Sequence, residues 1–296
     1  MKAIPPVVVT LKKFSQEVEL VAAGDLHWSS AESAHDFWWR MFDEHPNALY
    51  IFMGDLLNSI SMADTRFGNT ALRPEFYRYE TLANVIEEEV YDFTEKMKKK
   101  LGEDWIRGHV IGCISGNHPT SSVFRKLGYD PHDLMCRLLG INNLGYSCMF
   151  PIRIRYQGGW SRDVMVFAHH GFGRGSRTEG GNITSLSRHA MQFDARICIY
   201  GHVHELVVKD LPPRIIYRPG TDPWITAEGR LLVFSGTFQR TFSHSVYPSY
   251  AELKGFPARP IGYALVKMKV KERKKGKGKA KDRYIRLEGM ARSFYE

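Results

Sequence analysis

Residues 18–58 read VELVAAGDLHWSSAESAHDFWWRMFDEHPNALYIFMGDLLN, and this stretch decides the fold. It opens with an apolar run over 18–23 and closes with another over 48–53, both of strand length. Between them Ala34, Phe37, Trp38, Met41 and Phe42 recur at i, i+3, i+4, i+7 and i+8, the stripe of an amphipathic helix. Ser29 and Glu32 have the spacing of a capping box ahead of that helix, and Pro46 follows its end. Strand, helix and strand in so short a span make a βαβ unit, so at least part of the sheet should be parallel. Both strands also end alike, in Gly24-Asp25-Leu26-His27 and in Gly54-Asp55-Leu56-Leu57-Asn58.

The pattern recurs downstream. Apolar runs over 110–114, 164–168 and 197–200 lead into Gly116-Asn117-His118-Pro119, His169-His170-Gly171 and Gly201-His202-Val203-His204. Parallel strands deliver their carboxyl ends to one sheet edge, where ligands are held, so these blocks should converge on one cluster. Carboxylate with imidazole suits first-row metals such as Mn, Fe, Zn or Ni, whereas Ca and Mg prefer all-oxygen sites. The donors exceed what one ion needs, and an aspartate can bridge two. In Asp25-x-His27 alternate residues of an extended segment would point the same way. The same holds for His202-x-His204, unless a turn sends the two to different ions. Glycine ahead of each aspartate or asparagine lets the backbone turn sharply and approach closely.

A second helix is expected over 74–101, with Tyr79, Leu82, Ile86, Phe93 and Met97 on one stripe. A third should be capped by Asp130, begin at Pro131 and end at Gly140, and Asn182 should cap a fourth carrying Leu186. Segments 151–156 and 163–168 around Gly158-Gly159 suggest a hairpin, and 263–270 with 283–290 suggest another. With no internal repeat and no Pro/Ser linker, one domain over 1–296 is expected. It would carry a helical insertion at about 59–108 and a basic hairpin loop at about 271–283.

Composition narrows the class. A 296-residue chain with 43% apolar and 25% charged residues is neither disordered nor fibrous. No apolar run approaches the ~18–20 residues of a membrane span, and Lys12 and Lys13 argue against a secretory leader. Four cysteines without a CxxC pair read as reduced core residues of a cytoplasmic protein. The net charge of +9 is concentrated: residues 271–283 hold eight Lys/Arg and two Asp/Glu. Lys274, Lys275, Lys277, Lys279 and Lys281 are therefore candidate contacts for a nucleic-acid backbone, beside the plainer reading of a solvated loop tip.

Taken in order, the five strand-end blocks resemble the calcineurin-like metallophosphoesterase superfamily, whose blocks run DxH, GDxx(N/D), GNH(D/E/P), (H)H and GHxH. The match spans about residues 18–240, and HHGFGRG, GGN, FDARICIYGHVHE and SYAELKGFPARPIGY look like its phage- and prophage-borne branch. Strand placement and this resemblance together imply an α/β fold. Two mixed β-sheets would pack as a sandwich with helices on the outer faces and metals at one edge. The resemblance implies that Asp25, His27 and His204 hold one divalent ion and Asn117, His169 and His202 a second, with Asp55 bridging; manganese is favoured. His169 corresponds to the family's ligand, which leaves His170 as a supporting or substrate contact. His118 matches the catalytic histidine. Asn58 either orients a ligand or stabilises a turn, and Arg174 and Arg177 are candidate partners for a substrate phosphate or plain surface residues. GDLLNSI lacks the arginine of the GDxVDRG block, which argues against a phosphoprotein phosphatase, and Pro119 stands where an acidic residue is common. The run GFGRG is no phosphate-binding P-loop, since no GK[ST] follows.

The implied activity is phosphoester hydrolysis, with diesters ahead of monoesters. Two ions lower the pKa of a bridging water, whose hydroxide attacks phosphorus in line, and clamp the phosphate oxygens. His118 would then donate a proton to the leaving alkoxide, or stabilise its charge, near neutral pH. A nuclease that grips DNA or RNA with the basic loop is the alternative, and a catalytically weak scaffold that binds a partner is a third reading.

Overall fold

The computed structural model describes residues 1–60, 72–78, 82–120, 128–157, 159–173, 180–219, 223–242, 248–274 and 281–294. The early strands are β1 (Lys2–Ala3), β2 (Val7–Leu11), β3 (Val18–Ala23), β4 (Leu49–Phe52), β5 (Val110–Cys113), β6 (Asn142–Asn143) and β7 (Ser147–Tyr156). They are followed by β8 (Ser161–His169), β9 (Ile197–Tyr200), β10 (Leu206–Arg218), β11 (Trp224–Ser235), β12 (Ile261–Lys274) and β13 (Lys281–Phe294). The helices are α1 (His35–Glu44), α2 (Leu82–Leu101), α3 (Glu103–His109), α4 (Asn117–Thr120), α5 (Pro131–Leu139), α6 (Gly181–Ala190) and α7 (Tyr250–Leu253).

Two mixed sheets result. One has the order β13-β12-β3-β4-β5-β6, with β3 to β6 parallel and β12 antiparallel to β3. The other has the order β1-β7-β8-β9-β11-β10, with β2 added beside β7. Within it β8, β9 and β11 are parallel. Strands β4, β5 and β9 read LYIF, VIGC and ICIY because parallel strands between covering layers bury both faces.

Three apolar clusters mark the layers. Leu20, Ala22, Ile51 and Ile111 of the first sheet meet Ile152, Val164, Val166, Ile199 and Val233 of the second, which makes the sandwich interior. The opposite face of the first sheet, with Val21, Tyr50 and Phe52, packs on Phe37, Trp38, Val90, Phe93 and Met135 of α1, α2 and α5. Phe167, Cys198, Tyr200 and Phe234 of the second sheet pack on Leu186 and Ala190 of α6. The sequence expectation of a two-sheet sandwich with helices outside is met.

Details of the local reading change. Helix α1 buries Phe37, Trp38, Met41 and Phe42 as its stripe requires, but it starts at His35 and Ala34 gives no side-chain cap. The Ser29–Glu32 capping box does not form. The Ser29 N–H donates to Glu89 instead (3.0 Å), and the Ser30 hydroxyl donates to Glu32 (2.6 Å). Asn182 likewise lies inside α6, whose cap is Gly180 at φ 75°. Asp130 does cap α5, accepting from the His132 N–H, and Gly140 ends it in the left-handed region. Tyr79 and Gly158 lie outside the described residues.

All four cysteines are buried and unpaired. Among the described residues no helix is long and apolar enough to cross a membrane.

Candidate metal centre

The carboxyl ends of β3, β4, β5, β8 and β9 open on one edge of the sandwich, where hydrogen bonds tie neighbouring strand ends together and one of them joins the two sheets. Asp25 N–H donates to the Gly54 carbonyl (2.9 Å), Gly201 N–H to the His170 carbonyl (2.8 Å), and His202 N–H to Asp25 Oδ2 (3.0 Å). Backbone strain collects at the same edge. Six non-glycine described residues have positive φ, and five of them are Asp25 (51°), His27 (51°), Asp55 (45°), His202 (69°) and His204 (54°). Left-handed backbone at such residues costs free energy and persists only where the surroundings over-determine it. The Asp25-x-His27 segment is therefore a sharp turn, and the expectation of an extended segment is corrected.

Glycine makes the close approach feasible. A Cβ on Gly116 would overlap the Asp55 carboxylate, and one on Gly54, which has φ +96°, would lie 2.5 Å from His170 Nδ1.

Three groups of potential ligand atoms lie within 4.8 Å of one another: Asp25, His27 and His204; His27, Asp55 and His118; Asp55, His170 and His202. The groups share His27 and Asp55, so they form one continuous cluster. His170 Nε2 is 3.2 Å from Asp55 Oδ2, and Asn117 Oδ1 is 3.0 Å from both His170 Nε2 and His202 Nδ1. His204 Nε2 lies 3.5 Å from Asp25 Oδ1, a buried oxygen that accepts no hydrogen bond among the described residues. His202 and His204 thus serve different halves of the cluster.

Three imidazoles of the cluster are each held at one nitrogen by a backbone carbonyl. His170 Nδ1–H donates to Met53 (2.8 Å), His118 Nδ1–H to Asn58 (2.8 Å) and His202 Nε2–H to Gly173 (3.2 Å). A carbonyl only accepts, so the nitrogen that meets it carries a proton and the other nitrogen is the one directed to the centre, as metal-binding imidazoles require.

The imidazole that meets Asp55 and Asn117 is that of His170, and the expectation that His169 does so is corrected. Strand alternation is the cause. Val164, Val166 and Ala168 of β8 face the sandwich interior, so Phe167 and His169 face α6, and the next residue, His170, turns inward again. His169 instead lies among Tyr146, Phe172, His189 and Tyr200, with its Nδ1 accepting from the Gly171 N–H (2.8 Å).

The two histidines also differ electrically. Burial pulls the His170 imidazole down, but the Asp55 charge and hydrogen bond, Asp25 and the Met53 carbonyl outweigh it and push it up to about 9. Asp55 is correspondingly held well below its usual range, since His170, His118 and His27 overcome its desolvation. His169 is pulled down to about 4 by burial and by the neighbouring His189, His170 and His202.

The described strands of the basic hairpin lead away from the centre. Strand β12 runs away from this edge: Ala264 pairs with Ala22, and Lys274, ten residues on, pairs with Lys281. At ~3.3 Å per residue the Lys274–Lys281 pair lies about 30 Å along the hairpin from the Ala264–Ala22 pair. Lys275, Lys277 and Lys279, like Arg174 and Arg177, lie outside the described residues. Asn58 is buried, with neither side-chain amide atom hydrogen-bonded among the described residues.

Two supports have no counterpart in the sequence reading. Thr237 Oγ1 (3.0 Å) and Phe238 N–H (3.1 Å) both donate to the Asp25 carbonyl and hold that strained residue. They follow β11 through Gly236, a sixth strand end of the same apolar-then-glycine form. Glu89 of α2 accepts backbone N–H bonds from Ser29, Asn58 and Ser59. Its signal is an acid placed between Ile86 and Phe93 on an otherwise apolar stripe.

No protein-family model matches the chain, and no curated protein matches it in sequence. Among solved structures, the phosphoesterase YfcE from E. coli is 15% identical at TM-score 0.34, over 85% of this chain and 91% of its own. Vps29 from Entamoeba histolytica, complexed with zinc, is 11% identical at TM-score 0.36, over 93% of this chain and 99% of its own. A metallophosphoesterase from Sphaerobacter thermophilus is 10% identical at TM-score 0.33, over 85% and 83%. Likeness at this level leaves the chemistry to be read from the chain's own residues.

Proposed function

We propose that this protein is a divalent-metal-dependent phosphoesterase of the calcineurin-like type, acting on phosphodiesters ahead of monoesters. The observation that carries the reading is the concentration of left-handed backbone on five carboxylate and imidazole residues at one sheet edge. The donor set fits a pair of ions. Among the described residues Asp25 Oδ1 is buried without a hydrogen bond, and the His170 and His202 imidazoles are each turned to the cluster by a backbone carbonyl. Asp25, His27 and His204 would hold one ion, and Asn117, His170 and His202 the other, with Asp55 shared between them. Manganese is the ion to try first, because mixed carboxylate and imidazole ligands suit first-row divalent metals. When bound, the ions would supply Lewis acidity toward water and the phosphate oxygens.

The chain's own contribution is orientation and proton supply. His118 N–H donates to Asp55 Oδ1 (3.0 Å), which ties the histidine backbone to the shared carboxylate. With Nδ1 bound to the Asn58 carbonyl, Nε2 of the imidazolium is the atom that gives its proton to the leaving oxygen. Ser59 occupies the place where phosphoprotein phosphatases of this type carry arginine, so small diesters suit the site better than phosphoproteins. Four unpaired buried thiols fit a reducing, cytoplasmic setting.

The test is hydrolysis of bis-p-nitrophenyl phosphate by chelator-treated protein with and without Mn²⁺. Turnover that appears only with metal, and a His118→Ala variant that keeps its metal but loses turnover on esters with poor leaving groups, are expected. Metal-independent turnover, or full activity of His118→Ala toward an ester with a poor leaving group, overturns the reading.

A further inference from the structure

Helix α2 sends a carboxylate into the base of the site. Glu89 is fully buried, and so are the three residues whose backbone it binds. Its Oε1 accepts from Ser29 N–H (3.0 Å) and Asn58 N–H (2.6 Å), and its Oε2 from Ser59 N–H (2.8 Å). Ser29 lies just past Asp25 and His27, while Asn58 and Ser59 follow Asp55, so one side chain clamps both carboxylate-bearing loops. One turn further along α2, Asp92 accepts from Trp28 Nε1 (2.7 Å), which fixes the same first loop a second time. Ser59 is the remaining non-glycine described residue at positive φ (50°), and its N–H is one of the three bound. A short chain of hydrogen bonds also leads outward. The Asn58 peptide donates to Glu89 through its own N–H, and the Asn58 carbonyl accepts from His118 Nδ1–H at 2.8 Å.

We infer that Glu89 is a positioning residue for His118, setting the imidazole through the backbone on either side of the Asn58 residue and holding the Asp55 loop in register with it. The physical argument is local. A buried carboxylate is tolerated here because three N–H groups satisfy it, and charge-assisted bonds of this kind are stronger than neutral ones. Burial pushes the Glu89 carboxyl up and the three N–H groups pull it back in part, while fixing Asn58 fixes the carbonyl that meets His118 Nδ1. The side chain touches no reacting atom, so its effect passes through His118 and the Asp55 loop. This rests on the phosphoesterase reading for its catalytic meaning but not for its geometry.

The experiment compares wild type, Glu89→Gln, His118→Ala and the double variant. In Glu89→Gln an amide N–H₂ must face one of the three backbone donors, so the clamp is broken at little change in volume. Expected are unchanged Mn²⁺ stoichiometry and KM, with kcat lowered about 10–100-fold on a phenyl phosphodiester. On bis-p-nitrophenyl phosphate, whose leaving group needs little protonation, the loss should be under about threefold. In the His118→Ala background Glu89→Gln should add nothing. Equal losses on both esters, loss of metal, or full additivity with His118→Ala would assign Glu89 a purely structural role and overturn the inference. If Glu89→Gln fails to fold, nitrogen-15 NMR of the His118 ring in metal-free wild type and in Glu89→Asp decides it. An Nδ1-protonated ring in wild type whose signature changes in Glu89→Asp supports the inference, and an Nε2–H tautomer in wild type or an unchanged ring in Glu89→Asp overturns it. That readout needs no turnover, so absence of activity in wild type would sink the enzymatic reading without touching this one.

Discussion

The assignment of His170, rather than His169, to the Asp55 side is open to a quantitative test through His170→Ala. In the metal-free protein His170 and Asp55 form a buried ion pair at 3.2 Å. The folded-state imidazole stands at about 9 against an ordinary 6.5. A difference of this size is worth about 3 kcal/mol of stability. The sign follows from the direction. A histidine raised on folding contributes fully below its unfolded value and loses the contribution as pH rises through its folded value. Metal-free wild type should therefore lose about 3 kcal/mol between pH 6.5 and about 9 relative to His170→Ala, in which that step is missing. Urea unfolding of chelated protein at pH 6 and pH 10 measures it, with His169→Ala as the comparison. His169 is half-buried and its pKa is lowered to about 4, so its removal should leave the step intact. Retention of the step in His170→Ala, or its loss in His169→Ala, would refute the assignment.

Gly116→Ala should cost about 1–3 kcal/mol from overpacking and lower turnover by about 100-fold, because the new Cβ must displace the Asp55 carboxylate. Gly108→Ala, with nothing within 4 Å of its Cβ and a helical setting, should stabilise slightly and leave activity alone; thermal melts beside kcat check both. Deleting residues 275–280 should leave phosphodiester turnover at the metal centre within about twofold, since the flanking Lys274–Lys281 pair lies about 30 Å along the hairpin from the Ala264–Ala22 pair. A large loss on a small diester would show the hairpin reaching the site.

Much of this arrangement is legible in the letters, for reasons that can be named. The parallel strands that carry the site are buried on both faces and so read as unbroken apolar runs, and each ends in a glycine or histidine block. Helix α1 follows its stripe because its buried face is continuous. What failed was parity and partner choice. The step from Val164, Val166 and Ala168 to His170 is a plain alternation, yet the position directly after the strand invited the reading of His169 as the ligand. The capping box at Ser29 and Glu32 lost its Ser29 N–H to Glu89, sixty residues away, a partner that no local pattern can supply. Strand β10 stayed hidden because Pro212 and Pro213 sit inside it. They are accommodated at a bulge between Leu211 and Arg214 on an edge strand, where missing donors cost little. The strained turns at Asp25, His27 and Asp55 break the local rule for non-glycine residues, which is where function is expected to override propensity.

Anomalous diffraction at the manganese edge, from crystals grown with Mn²⁺, tests the central claim most directly. The account predicts two peaks ~3.5–4 Å apart, with Asp55 contacting both, Asp25, His27 and His204 on one side, and Asn117, His170 and His202 on the other. No peak within reach of Asp55, or a single ion held through His169, would contradict it.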